Sequence, residues 1–203
     1  MIPNEVLRQA AERSLLDERR LNNLWAFAKE ASASSNGPIV EFGSYKGGSA
    51  LVLQAAIDSN HGHNPLHLFD TFEGIPFGGP NDSHKKGDFG DTNLERVREI
   101  LPKAIFHKGD FVEQFHLVEI EMGRIAFAHI DVDQEASTLI AVEYCWKYLM
   151  EGAWIVIDDY NAEACLGARQ AVGFFLHNLE PHTFLFLEGP HPQAFIRKVR
   201  HHD

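Results

Sequence analysis

The chain has 203 residues, and 44% of them are hydrophobic, which is enough for one sizeable core. We therefore expect a single globular domain, with an N-terminal helical segment over 1–36 and the core over 37–203. Asp and Glu number 29 against 18 Lys and Arg, and the formal net charge of -11 disfavours nucleic acid and anionic membrane surfaces as partners. The apolar runs are shorter than a membrane span and the N-terminus is a charged amphipathic helix rather than a signal peptide, so we expect a cytoplasmic protein.

Two helices are predicted at 4–15 and 18–33, and strand and helix patterns alternate from residue 38 onward. This alternation predicts an α/β fold with a Rossmann-like, doubly wound, mostly parallel sheet and helices on both faces. The last two strands are joined by the short turn EGPHPQ, so they should form an antiparallel hairpin at one edge. The predicted strands are 38–42, 65–70, 104–110, 125–133, 153–159, 183–188 and 194–199, and the predicted helices between them are 48–57, 93–101, 111–120, 136–150 and 165–179.

Four aspartates follow two of the predicted strands. Asp131 and Asp133 lie in AHIDVDQ, and Asp158 and Asp159 lie in WIVIDDYN. The carboxyl ends of parallel strands meet at one edge of a sheet, where open α/β sheets bind ligands, so these side chains should converge. Converging carboxylates cannot all stay charged without a cation, and a hard divalent ion such as Mg2+ resolves the repulsion. The alternative is that an aspartate caps the next helix, and Asp133 is the best candidate for such an N-cap.

The first predicted strand runs through EFGSYKGGSA directly into a helix. The glycines let the backbone approach a ligand, and the helix N-terminus offers free N–H groups to an anionic end such as a carboxylate. The spacing GxxxGG is not the dinucleotide fingerprint, and tight packing of the turn is the alternative explanation. Asp70 ends the second strand, where it can accept hydrogen bonds from ribose hydroxyls, and Asp110 and Phe111 end the third, where they can meet an adenine. Three strand ends suited to an amino acid, a ribose and a base indicate S-adenosylmethionine.

These residues resemble the macrocin O-methyltransferase family, whose members use S-adenosylmethionine and Mg2+ to methylate sugar hydroxyls. The matching segments are VEFGSYKGGSA, LFDTFEGIP, FHKGDFVEQF, HIDVD and VIDDYNAEACLGARQAV. The resemblance implies a small-molecule acceptor with a sugar hydroxyl or another vicinal diol. It also implies that Asp131, Asp158 and Asp159 bind the metal and that Asp133 is the general base. The residues expected to contact the cofactor are Glu41, Gly43, Ser44, Tyr45, Gly47, Gly48, Ser49, Asp70, Asp110, Phe111 and Asp131.

Gln134 and Glu135 depart from the family pattern, in which an apolar residue and usually a tyrosine follow the DxD. The shape of the acceptor pocket therefore stays open, with Tyr160 and Glu135 as candidates to line it. The irregular segment 74–92 is either a lid or a solvated linker. Two further functions stay open beside methyl transfer, namely a non-catalytic member of the fold that binds a partner or ligand and a metal-dependent hydrolase. Homo-oligomer formation stays open as well.

His129 faces the same side of its predicted strand as Asp131, so it could assist proton transfer or could be a packed core residue. Cys145 and Cys165 have no CxxC partner and no zinc-ligand spacing. We expect both to be free thiols with a structural role.

Overall fold

Helices and strands alternate along the chain in the computed structural model, which describes residues 1–111, 123–177, 179 and 182–199. The part of the predicted helix 111–120 that follows Phe111 lies outside the described residues. The strands are β1 (Ile39–Phe42), β2 (Leu66–Asp70), β3 (Ile105–Lys108), β4 (Ile125–Ile130), β5 (Leu149–Asp158), β6 (His182–Leu187) and β7 (Gln193–Lys198), and the helices are α1 (Asn4–Ala11), α2 (Glu18–Ser34), α3 (Gly48–Ser59), α4 (Leu94–Ile100), α5 (Glu135–Tyr148) and α6 (Leu166–His177), with a 3-10 turn at Glu163–Cys165.

The strands of the described residues form one sheet in the order β3-β2-β1-β4-β5-β7-β6. β1 to β5 pair in parallel, and β7 pairs antiparallel with both β5 and β6. The predicted Rossmann-like sheet with an antiparallel edge hairpin is therefore confirmed. The strand order reverses between β1 and β4, which is where such sheets open a ligand crevice at their carboxyl ends.

Helices cover both faces of the sheet, because each strand buries alternate side chains on opposite sides. One core contains Leu24, Leu53 and Phe127 and includes buried residues of α1, α2, α3 and α4. The other contains Val40 and Val172 and includes residues of α5 and α6. No helix among the described residues is both long and apolar enough to cross a membrane.

Several element boundaries differ from the predicted ones. The fourth strand ends at Ile130 rather than at residue 133, because the backbone turns and Asp133 adopts a left-handed φ of 61°. The first helix ends at Ala11, four residues early. β5 begins at Leu149, within the helix predicted for 136–150, and its pairing with β4 is irregular before Trp154. The predicted helix pattern extended too far because the apolar residues of both elements are contiguous in the sequence.

Candidate active site

The turn between β1 and α3 lies against the ends of the neighbouring strands. Gly43 has a φ of 82°, and a Cβ there would lie 1.9 Å from the carbonyl oxygen of Asp131, so no larger residue fits. The Asp70 carboxylate holds the turn, because its Oδ2 accepts hydrogen bonds from Ser44 N at 2.7 Å and Tyr45 N at 2.8 Å. Burial raises the pKa of Asp70, and its backbone hydrogen bonds partly offset this. The loop is thus ordered by the acid predicted to contact a ribose.

A cavity of about 460 Å³ opens at this edge of the sheet. It is lined by every predicted cofactor residue except Glu41, Gly47 and Gly48. A Cβ at Gly47 would lie 2.9 Å from Val97, and one at Gly48 would lie 2.6 Å from Ser14. These two glycines therefore allow α3 to pack closely against its neighbours. For Gly47 and Gly48 the alternative explanation, tight packing of the turn, applies.

Three carboxylates line the same cavity. Asp131, Asp133 and Asp159 each offer an oxygen within 4.8 Å of the others. Burial, followed by the charges of neighbouring aspartates, raises the pKa of Asp131 well above its ordinary value and that of Asp159 to about 6. Burial also raises the pKa of Asp133. The donors are all hard oxygens and are short of positive charge, so the cluster fits a divalent cation such as Mg2+.

Asp133 does not cap the following helix. The N-cap position of α5 is Gln134, whose side chain makes no capping hydrogen bond. The N-cap alternative for Asp133 is therefore wrong, because the left-handed turn at Asp133 directs the chain into α5 one residue later. Asp133 instead lines the cavity, where its Oδ1 accepts a hydrogen bond from Cys165 Sγ at 3.4 Å.

Asp158 lies beneath the cavity rather than on its surface, since its side chain is fully buried and the cavity lining does not include it. His129 Nε2 donates to its Oδ2 at 2.6 Å, and Gln193 Nε2 donates to its Oδ1 at 3.1 Å. Arg20 Nη1 lies 3.3 Å from the same Oδ1 and 3.5 Å from Asp159 Oδ1. Asp158 is thus fixed in place by three side chains. One of its carboxylate oxygens still lies within 4.8 Å of an oxygen of Asp131.

A buried polar row crosses the sheet on the face covered by α2. Glu41 pairs in register with His129, and Asp158 pairs with Gln193. Glu41 Oε1 lies 2.8 Å from His129 Nδ1, so this acid contacts the row rather than the cavity. Burial acts to lower the pKa of His129, but its hydrogen bonds to Asp158 and then Glu41 raise the pKa to about 10. His129 is therefore an imidazolium held between two carboxylates.

Sequence reasoning missed Arg20. This residue lies on α2, is only 3% exposed and reaches Asp158 across 138 positions of sequence. Its local pattern, DERRLNN, is that of a charged helix start. No signal in those residues distinguishes Arg20 from Arg19, whose guanidinium instead donates to the carbonyl oxygens of Glu188 and His191.

The segment 74–92, which we call the cover, contributes residues such as Ile75, His84 and Phe89 to the cavity lining. Asp82 Oδ1 accepts a hydrogen bond from the backbone N–H of Glu135 at 2.9 Å. Asn81 Nδ2 donates to Glu135 Oε2 at 2.7 Å. These contacts tie 74–92 to the start of α5 beside the cavity, which favours the lid over the solvated linker.

The two departures from the family pattern contact this cover. The side chain of Gln134 donates to the carbonyl oxygen of Phe77, and Glu135 binds Asn81 and Asp82. Gln134 lines the cavity, whereas neither Glu135 nor Tyr160 belongs to its lining. The Tyr160 ring packs instead on Phe184 and Phe186 of β6.

The fold is that of O-methyltransferases of known structure. It superposes on the O-methyltransferase NovP with a TM-score of 0.80, covering 93% of this chain and 83% of that one at 19% identity. For the calicheamicin methyltransferase CalS11 the TM-score is 0.73, covering 95% and 91% at 20% identity. For TomG from Streptomyces achromogenes, an O-methyltransferase of tomaymycin synthesis solved in complex with SAM, it is 0.67, covering 98% and 91% at 13% identity.

Sequence comparison identifies the family. Residues 8–180 match the model of the macrocin-O-methyltransferase (TylF) family, and the chain belongs to this family. A curated relative from Streptomyces olivaceus, 8-demethyl-8-(2,3-dimethoxy-alpha-L-rhamnosyl)-tetracenomycin-C 4'-O-methyltransferase, is 29% identical over 168 residues. The match covers 74% of this chain and 63% of that relative. The resemblance read from the sequence motifs is confirmed.

Proposed function

We propose that this protein is an S-adenosylmethionine-dependent, divalent-metal-dependent O-methyltransferase acting on a sugar hydroxyl or another vicinal diol of a small molecule. One observation carries the proposal. The glycine turn ordered by Asp70 and the carboxylates of Asp131, Asp133 and Asp159 line the same cavity of about 460 Å³. A methyl donor and a metal-supported acceptor need this proximity, because in-line transfer requires both reactants in one site.

The residues around the cavity suit S-adenosylmethionine on one side and Mg2+ on the other. Backbone N–H groups at the start of α3 suit the carboxylate of the cofactor. Two oxygens of Asp70 accept three backbone hydrogen bonds, from Ser44, Tyr45 and Phe72, and a carboxylate has about four acceptor positions, so one position remains for a ribose hydroxyl. Asp131 and Asp159 would hold Mg2+ through hard carboxylate oxygens, with Asp158 beneath them and Asp133 beside them as the base.

Asp133 has the position and basicity of a general base. Mg2+, when bound, supplies positive charge that stabilises the negative charge developing on the acceptor hydroxyl. Asp133 Oδ1 accepts from Cys165, and we assign acceptance of the hydroxyl proton to Oδ2. Burial raises the pKa of Asp133, which makes its carboxylate a stronger base than one in water. The cover formed by 74–92 keeps water from the methyl donor.

The name of the curated relative, a 4'-O-methyltransferase of a rhamnosyl-tetracenomycin, supports a sugar on a larger natural product as the acceptor. The two other functions have less support. The departures Gln134 and Glu135 favoured a non-catalytic protein, but both contact the cover over the site. A hydrolase has no use for a glycine turn ordered by Asp70.

Calorimetric titration of S-adenosylhomocysteine into metal-stripped protein, with and without Mg2+, tests the proposal. We expect S-adenosylhomocysteine to bind in both states. In a separate assay, S-adenosylmethionine should methylate a rhamnoside diol only when Mg2+ is present. Matched protein carrying Asp131→Asn should bind Mg2+ more weakly. Absence of binding in both states would overturn the cofactor assignment, and methylation unaffected by chelation would overturn the metal assignment.

A further inference from the structure

Three side chains of different chemistry meet in the cavity, and one of them, Asp133, also belongs to the carboxylate cluster of Asp131, Asp133 and Asp159. His84 comes from the cover, Asp133 from the turn after β4, and Cys165 from the 3-10 turn after β5. One ring nitrogen of His84, one carboxylate oxygen of Asp133 and Cys165 Sγ all lie within 4.8 Å of one another. All three residues line the cavity. The group is therefore accessible from the same space that the acceptor would enter.

The spacing of these atoms suits a tetrahedral metal ion. With Zn–S bonds of about 2.3 Å and Zn–N or Zn–O bonds of about 2.0–2.2 Å, the ligand atoms of one ion lie about 3.3–3.7 Å apart. The 3.4 Å between Cys165 Sγ and Asp133 Oδ1 falls in this range. A ring nitrogen of His84 lies within 4.8 Å of both atoms and would move closer to them on binding an ion.

We propose that His84, Asp133 and Cys165 form a second cation site, selective for a thiophilic divalent ion of the Zn2+ type and adjacent to the Asp131 and Asp159 oxygens assigned to Mg2+. Sulfur and imidazole ligands favour Zn2+, whereas Mg2+ avoids sulfur and needs hard oxygens. Three protein ligands leave the fourth position open to the cavity, as in zinc sites that exchange a ligand. On binding, the Cys165 thiol loses its proton to solvent, and the thiolate and carboxylate together balance the charge of the ion.

Occupation of this site would block catalysis, a consequence that rests on the proposed function. The ion takes the Asp133 carboxylate that would accept the proton of the acceptor. It also ties His84, and with it the cover, to the rim of the cavity. Zn2+ is therefore an inhibitor of methyl transfer whose effect depends on Cys165.

Titration with Co2+, a spectroscopic substitute for Zn2+, tests the site without any cofactor or acceptor. Adding Co2+ to metal-free full-length protein should produce a thiolate-to-cobalt absorption in the near ultraviolet that saturates at one ion per chain. Cys165→Ser should abolish this absorption. The matched control is Cys145→Ala, because Cys145 is a fully buried thiol on α5 and should leave the absorption intact. His84→Ala should weaken Co2+ binding by about tenfold or more.

Each outcome decides part of the proposal. No absorption in the unsubstituted protein, or absorption retained in Cys165→Ser, overturns the site. Unchanged Co2+ affinity in His84→Ala removes His84 from the proposed site. This variant also tests the site if Cys165→Ser fails to fold, because His84 lies on a surface segment. If methylation is found, the Zn2+ concentration for half-inhibition should rise about tenfold or more in Cys165→Ser. The absorption needs no methyl transfer, so its absence is distinguishable from failure of the proposed function.

Discussion

Arg20 Nη1 lies 3.3 Å from Asp158 Oδ1, and this contact joins the N-terminal helix pair to the carboxyl end of β5. The same guanidinium donates from Nη2 to the carbonyl oxygen of Leu15 at 2.9 Å. Leu15 belongs to the connection between α1 and α2, which lines the cavity. Arg20 is thus a built-in cation for Asp158 and Asp159, in addition to the His129 imidazolium, and it also orders one wall of the site.

Removal of Arg20 should destabilise the metal-free protein. Arg20→Met leaves Asp158 and Asp159 without their buried guanidinium, and loss of one partner of a buried ion pair costs about 3 kcal/mol or more. Mg2+ should restore more stability to this variant than to the unsubstituted protein, because it supplies the missing charge. Urea unfolding with EDTA or with Mg2+ measures both effects. Arg8→Met, which removes an exposed arginine, is the control, and equal unfolding midpoints for the two variants would contradict the role of Arg20.

The stability of the metal-free protein should depend on the titration of Asp159. Its pKa of about 6 in the folded state lies above its ordinary value of 3.8, so the stabilising contribution is complete below about pH 4 and is lost as the pH rises through 6. From about pH 5 to about pH 7.5 the contribution of Asp159 alone should fall by about 1 kcal/mol, and Mg2+ should abolish this loss by favouring the carboxylate.

Comparison with Asp159→Asn isolates this effect. Burial lowers the pKa of His67 to about 4, so His67 acts in the opposite direction and costs stability as the pH falls below about 6.5. Denaturant unfolding of the variant retains the contribution of His67 and lacks that of Asp159. An identical pH dependence for the two proteins would show that Asp159 does not titrate in this range.

Turnover should depend on Asp133 more than binding does. Asp133→Asn keeps the size of the side chain, and asparagine tolerates the left-handed φ of 61° at this position. We expect nearly normal affinity for S-adenosylhomocysteine and Mg2+ but a loss of about 100-fold or more in kcat, the usual contribution of a general base. Steady-state kinetics beside calorimetry measures the difference. Asp88→Asn, at an exposed carboxylate of the cover, is the control, and full turnover in Asp133→Asn would exclude the base assignment.

Acceptor affinity should depend on the contact between Asp82 and Glu135. Asp82→Ala removes the acceptor for Glu135 N, and a hydrogen bond to a carboxylate contributes about 1.5 kcal/mol or more. We expect the acceptor KM to rise about tenfold and proteolysis within 74–92 to accelerate, because the cover opens more often. Lys86→Ala, at an exposed residue of the same segment, should change neither. If Asp82→Ala behaves like Lys86→Ala, this contact does not hold the cover closed.

The order of elements, the sheet class and the family could be predicted from sequence, because each rests on short-range patterns. Strand and helix periodicity, the glycine turn and the four aspartates after two apolar runs are local features whose place at the sheet edge follows from chain direction. The parallel strands and the hairpin were predicted for this reason. Strand and helix ends were predicted less well, since β5 begins within one continuous apolar run.

Tertiary structure alone decided how the site is divided. Asp158 and Asp159 are adjacent in sequence, yet their side chains lie in different places. Asp158 is the last residue of β5, and its side chain is buried against His129. The left-handed φ of 55° at Asp159 turns the carboxylate of that residue into the cavity. Glu41 and His129 meet through strand register, and Arg20 reaches the aspartates through the packing of α2 on the sheet. These contacts depend on distances between elements far apart in the chain, and no local pattern encodes those distances.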